Sequence, residues 1–135
     1  MSDKIEDIEG IGSVYAEKLG AAGVKNTADL LAKAGAKKGR AELEAATGIG
    51  GAHILKWVNH ADLMRINGVG GQYAELLEEA GVDTVKELRT RNAANLAAKL
   101  AEANEKRKLT GNVPNESMVT KWIDEAKGME PGVSY

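Results

Sequence analysis

Apolar residues in this chain recur at helical spacing in short blocks. Ile54, Trp57 and Val58 fall at intervals of three and four residues, as do Val119, Trp122 and Ile123 further on, which puts each set on one face of a helix. No stretch alternates apolar and polar residues for long enough to argue for a strand. Asn26 followed by Asp29, and Thr84 followed by Glu87, place a capping side chain three residues before an acid, the arrangement that satisfies free N–H groups at a helix start. These signals predict helices at about 13–22, 27–34, 39–46 and 51–61, then at about 71–80, 85–90, 93–107 and 116–127. The expected fold class is all-α, with about eight short helices. After Lys127, glycine and proline stop the last helix, and residues 128–135 read as a C-terminal tail.

The two sets of helices are copies of one another. From Ile8 to Val24 against Ile66 to Val82, a shift of 58 residues, ten of seventeen positions are identical. A fixed-period repeat of this kind marks a duplicated unit. The expected organisation is a first repeat over residues 1–61, a second over 62–127 and the tail over 128–135. The unit is Gly-apolar-Gly, three variable residues, Ala, two variable residues and Leu: a turn that feeds a helix. In such a turn one glycine can take positive φ and close the preceding helix, while the other lets the backbone approach a neighbour closely. The helix that follows begins with N–H groups that have no internal partner, at the positive end of its dipole, where an anion is accepted.

Gly10-Ile11-Gly12 with Ala16 and Leu19, and Gly68-Val69-Gly70 with Ala74 and Leu77, resemble helix-hairpin-helix motifs. Gly48-Ile49-Gly50, followed by Ile54, Trp57 and Val58, resembles a third copy. The fourth place is degenerate: it reads Val113-Pro114-Asn115-Glu116-Ser117, and the second half carries about eight extra residues between Asn104 and Val119. Two hairpins per half resemble the tandem helix-hairpin-helix domain, and the whole pattern is similar to a bacterial family of uncharacterised small duplicated proteins, a domain of unknown function.

That resemblance implies sequence-independent binding of a nucleic-acid backbone, with hairpin N–H groups on consecutive phosphates and two pseudo-twofold hairpins touching the two strands of a duplex. Contacts of this sort position a protein without reading bases. The contact residues expected on this reading are Gly48, Ile49, Gly50 and Gly51, then Gly68, Val69, Gly70 and Gly71, helped by Lys56 and Arg65, with Gly10 and Gly12 of the first hairpin behind them. The ranking follows local charge. Asp3, Glu6, Asp7 and Glu9 precede the first hairpin; Lys37, Lys38, Arg40, Lys56 and His53 flank the second, against Glu42 and Glu44; Arg65, Asn67 and Gln72 adjoin the third, with Asp62 and Glu75 as its nearest acids.

Composition bears on partners. Eighteen basic residues against twenty acidic ones give a net charge of −2, whereas dedicated duplex binders carry a basic face that releases counterions. The near-neutral balance and the alanine-rich helix of Asn92 to Arg107 point to a second reading, a protein-interaction or self-association scaffold with no nucleic-acid role. No apolar run reaches the roughly 18 residues of a membrane span. Absence of cysteine and of a basic and apolar leader in Met1 to Asp7 goes with a cytoplasmic protein.

Catalysis, cofactors and metal are not expected. The helix-hairpin-helix glycosylases have a lysine just after the second glycine, where this chain has Ser13-Val14 and Gly71-Gln72. His53 and His60 lie seven apart, too far for an ordinary i, i+4 metal pair. The carboxylates Glu78-Glu79, Glu102 with Glu105 and Asp124-Glu125 read as a solvated surface. Trp57 and Trp122 share the context Lys-Trp-apolar and read as core anchors, Tyr15 and Tyr73 as buried bodies with hydroxyls at the edge, and Lys106-Arg107-Lys108 as a solvated helix end.

Overall fold

A computed structural model describes residues 3–135. Met1 and Ser2, the start of the segment read as lacking a leader, lie outside the described residues. After a 3-10 turn at Ile5–Asp7 come eight α-helices: α1 (Ser13–Ala21), α2 (Thr27–Ala34), α3 (Lys37–Thr47), α4 (Gly51–Leu63), α5 (Gly71–Glu79), α6 (Val85–Leu88), α7 (Ala93–Arg107) and α8 (Glu116–Lys127). No strand occurs among the described residues; Lys4 and Asn26 form one isolated antiparallel bridge. The fold is all-α.

The duplication is visible in backbone detail. The bounds of α5 are those of α1 moved by 58 residues, and so are the capping residues Asn26 and Thr84, whose side chains accept from Asp29 N–H at 2.7 Å and Glu87 N–H at 3.3 Å. Past that cap the halves diverge. The expected helix at 85–90 ends at Leu88, because the Thr90 hydroxyl donates to the Glu87 carbonyl at 2.7 Å and Arg91 reaches both the Glu87 carboxylate and the Gly81 carbonyl, turning the chain toward Asn92, the N-cap of α7. α3 runs to Gly48, whereas α7 is four residues longer and hands on to the irregular loop 108–115.

Apolar side chains of both halves join one core, from Ile5 and Ile8 through Trp57 and Leu63 to Leu77, Trp122 and Val133. Within it each half closes on itself: the indole Nε1 of Trp57 lies 3.7 Å from where a Cβ on Gly10 would sit, and that of Trp122 lies 3.6 Å from the same point on Gly68. Both tryptophans are core anchors, 2% and 3% exposed.

The segment expected as a tail is docked against both repeats. The Ser134 N–H donates to the Gly35 carbonyl at 2.8 Å, Arg40 donates to the carbonyls of Ala34, Gly35 and Ser134 at 3.1, 2.8 and 2.6 Å, and the Tyr135 hydroxyl donates to Asn59 Oδ1 at 2.9 Å. Arg65 donates to the Glu130 carbonyl at 2.7 Å. Glycine and proline stopped the helix as expected, but an extended chain still has N–H and C=O groups to satisfy, and the buried Arg40 supplies a fork of donors for them.

Candidate nucleic-acid interface

Three Gly-apolar-Gly corners have the same build. Gly10, Gly48 and Gly68 take φ of 93°, 74° and 88°, a region closed to most residues by Cβ clash. Ile11, Ile49 and Val69 between the glycines are buried. Gly12, Gly50 and Gly70 are then the N-caps of α1, α4 and α5. None of these three helices has a side-chain cap, and the first amides to find a backbone acceptor are Ala16, His53 and Ala74. By contrast α2, α6, α7 and α8 are capped by Asn26, Thr84, Asn92 and Asn115. α3, entered from Ala36, is the other uncapped helix.

The basic residues expected at these corners are drawn elsewhere. Lys56 stands 3.5 Å from a Glu75 oxygen and 3.7 Å from a Glu78 oxygen. Arg65 is paired with the buried Asp62 at 2.5 Å and turned toward the C-terminal segment. Lys37 and Lys38 open α3, about 15 Å along the helix axis from Gly48 at about 1.5 Å per residue, and Arg40 is buried under Ser134. Closeness in sequence therefore overstated the positive charge at the second corner.

Acids lie closer than sequence distance indicated. At the third corner a methyl group on Gly71 would run into the carbonyl of Asp7, so the 3-10 turn of the first half covers one side of the start of α5. The Asn67 N–H donates to the Glu125 carboxylate at 3.2 to 3.3 Å, which removes Glu125 from the solvated surface where it was expected. At the second corner a Cβ on Gly51 would lie 3.0 Å from a Glu44 oxygen. Around Gly12 nothing comes within 4 Å of a Cβ position, and Val14 beside it is 65% exposed.

Aromatic rings join the first two corners. Trp57 packs against Tyr15 at 4.9 Å between centroids and 61°, and against His53 at 5.8 Å and 28°; Tyr15 and His53 are 5.9 Å apart. His53 also touches the second corner, its Cδ2 3.9 Å from the Cβ position of Gly50. The matching ring in the other half is held down: Tyr73 lies 5.3 Å from Trp122, and its hydroxyl donates to the Asn112 carbonyl at 2.8 Å. Tyr73 and Asn112 line a cavity of about 390 Å³ with Gly68, Gly70, Gly71, Gln72 and Thr110.

His53 and His60 are not partners. His60 is fully buried between α4 and α5, where its Nε2 meets Glu78 Oε2 at 3.1 Å; a carboxylate only accepts, so Nε2 is the donor. The hydrogen bond from His60 holds the Glu78 carboxyl below its ordinary value, helped by the charges of His60 and Lys56 and opposed by burial. Glu78 is therefore half-buried and engaged, not solvated as expected. Asp83 is pushed up by burial first, then by Glu78 and Glu87. Asp62 accepts from Arg65, from Val85 N–H at 2.8 Å and from Gly132 N–H at 3.2 Å, so one buried carboxylate ties α4, α6 and the C-terminal segment together.

The family described as Domain of unknown function (DUF4332) matches residues 9–129, from just before the first corner to just past α8. The chain belongs to that family. The match takes in both halves and the irregular loop of this DUF4332 protein, so the duplicated unit and its asymmetry fall within one family domain. No curated protein and no solved structure matches it. No helix among the described residues is long and apolar enough to cross a membrane.

Proposed function

We propose that the three Gly-apolar-Gly corners are helix-hairpin-helix motifs and that this DUF4332 protein is a non-enzymatic, cytoplasmic module that binds nucleic-acid backbone without reading sequence. The observation that carries the reading is the division among the helix starts. All three helices entered from a corner leave their first amides without a side-chain cap, while four of the other five have an Asn or Thr in that role. Unpaired amides at the positive end of a helix dipole are a ready acceptor for a phosphate oxygen. With Lys56 and Arg65 held in internal ion pairs, amides carry the contact and the lysines on the surface add to it. The test is an anisotropy titration with random-sequence duplex and single strand at low and moderate salt. Dissociation constants of about 1–100 μM that weaken as salt rises support the reading, as for other nonspecific binders; absence of binding at low salt ends it.

A second reading, a scaffold that binds a protein or a second copy, is favoured by the same ion pairs, because they leave the net charge of −2 without a concentrated basic face. Size-exclusion chromatography with light scattering separates a monomer from a self-associating scaffold.

A further inference from the structure

We propose that the track under the C-terminal segment, running from the end of α2 across α3 to the end of α4, is a binding site for an extended peptide of a partner protein, and that residues 130–135 are its built-in competitor. The peptide that fits carries a glycine, then a small apolar residue, then an aromatic residue two positions later. This goes beyond the nucleic-acid reading and does not depend on it.

The track addresses a main chain. Arg40 donates to the Ser134 carbonyl at 2.6 Å and Arg65 to the Glu130 carbonyl at 2.7 Å, while the Gly35 carbonyl accepts from the Ser134 N–H at 2.8 Å and Asp62 from the Gly132 N–H at 3.2 Å. Donors and acceptors are both supplied, as a peptide backbone requires. A phosphodiester backbone has no N–H to give Asp62 or the Gly35 carbonyl, so the chemistry selects a peptide. Main-chain bonds hold such a ligand, and the space around its side chains selects it. A Cβ at position 132 would stand 2.5 Å from Asp62 Oδ1 and 2.8 Å from Arg65 Nη1, which leaves room for glycine alone. Across the same crossing, a Cβ on Gly35 would meet the Gly132 carbonyl oxygen at 2.6 Å. Val133 is buried at 8% exposure, and the Tyr135 ring lies 5.8 Å from the Arg40 guanidinium with its hydroxyl on Asn59.

The segment is built as an occupant of the fold and not as a pillar of it. The family match takes in every residue of the track and stops at 129, before the segment. Without the segment no buried charge is left alone: Arg40 keeps the Ala34 and Gly35 carbonyls, and Asp62 keeps Arg65 and the Val85 N–H. Of residues 130–135 only Val133 is buried, so little apolar area holds the segment down.

The experiment uses the full chain and a fluorescein-labelled synthetic peptide with the sequence of Met129 to Tyr135. Two variants, Gly132→Val and Val133→Asp, are expected to dislodge the chain's own segment, which amide exchange at Ser134 reads directly; thermal melts verify the fold. A tethered competitor at an effective concentration on the order of 1 mM suppresses a ligand of about 0.1 mM affinity about tenfold. Both variants should therefore bind the peptide about tenfold tighter than the unaltered chain does. The same peptide carrying Gly132→Ala should bind neither, and one carrying Tyr135→Ala should bind at least about threefold more weakly. Failure of the peptide to bind folded variants, equal binding of the Gly132→Ala peptide, or Ser134 protection that survives both substitutions overturns the site. Loss of cooperative melting in both variants overturns it too, since the segment is then part of the fold. A concentration-dependent dimer of the unaltered chain that the free peptide dissolves assigns the track to a second copy and overturns the partner.

Discussion

The corner at Gly10–Gly12 and its copy at Gly68–Gly70 were built from one template and now live in different surroundings. Backbone angles, buried apolar residue, uncapped helix and underlying tryptophan agree between them. At the first corner the Tyr15 ring borders an exposed histidine; at the third, the Tyr73 hydroxyl is tied to the Asn112 carbonyl, Thr110 and Asn112 wall a cavity beside the glycines, and the turn of Ile5–Asp7 packs on Gly71. What differs is chain from outside the motif. A local motif sets which amides are left unpaired, and the segments that pack around it set whether a ligand can reach them.

The largest expected break in this comparison is at Asp62. The equivalent position in the first repeat is Lys4, which is exposed, whereas Asp62 is wholly buried on three donors. Asp62→Ala should lower stability by about 3–5 kcal/mol, since it strands Arg65 and two amides, and Lys4→Ala by less than about 0.5 kcal/mol; urea midpoints of the two variants measure the contrast.

A smaller effect tests the second corner against the degenerate fourth. Lys108 ends α7 at φ 50°, the conformation that Gly48 holds at the end of α3 at φ 74°. Lys108→Gly should stabilise by about 0.5–1 kcal/mol by relieving that strain, and Gly48→Ala should cost about 1 kcal/mol. Equal and null effects would mean that the two ends are not equivalent.

Smaller again is the hydroxyl of Tyr73. Tyr73→Phe should cost about 0.5–1 kcal/mol and free the loop 108–115, while Tyr15→Phe, with no hydroxyl bond to lose among the described residues, should be neutral. Amide exchange over residues 108–115 reads the loosening directly.

The last effect is one of pH. Glu78 occupies the place held by Gly20 in the first repeat, so its pair with His60 has no counterpart there. Its carboxyl titrates lower in the fold than in the unfolded chain, so the unfolded state takes up the proton first as pH falls. The stabilisation is complete above the ordinary value of 4.5 and disappears below it. Asp83 acts oppositely: between its raised value and the ordinary 3.8 the folded state takes the proton first. Glu78→Gln should flatten the acid limb of a stability profile, and Asp83→Asn should raise stability at neutral pH.

Much of the fold was legible from pattern. The spacing of Ile54, Trp57 and Val58, the Asn26 and Thr84 caps and the repeat of 58 residues place the helices within a residue or two, because these signals act within one or two turns of chain. The surroundings of the candidate site were less legible. Lys56 and Arg65 were expected to face phosphate because they are near the glycines in sequence, and their partners Glu75, Glu78, Asp62 and the Glu130 carbonyl come from elsewhere in space. His53 was weighed as a metal ligand, and its stacking on Trp57 beside Tyr15 needed the packing of α1 on α4 to be seen.

Glycine spacing alone determined that helices in this protein begin without side-chain caps at three sharp corners, since positive φ and a missing Cβ are properties of single residues. Tertiary structure alone decided which segments border each corner, which carboxylate neutralises which base, and that the last eight residues are docked against both repeats. Those outcomes depend on contacts between residues tens of positions apart, and such contacts leave no periodicity in the chain to read.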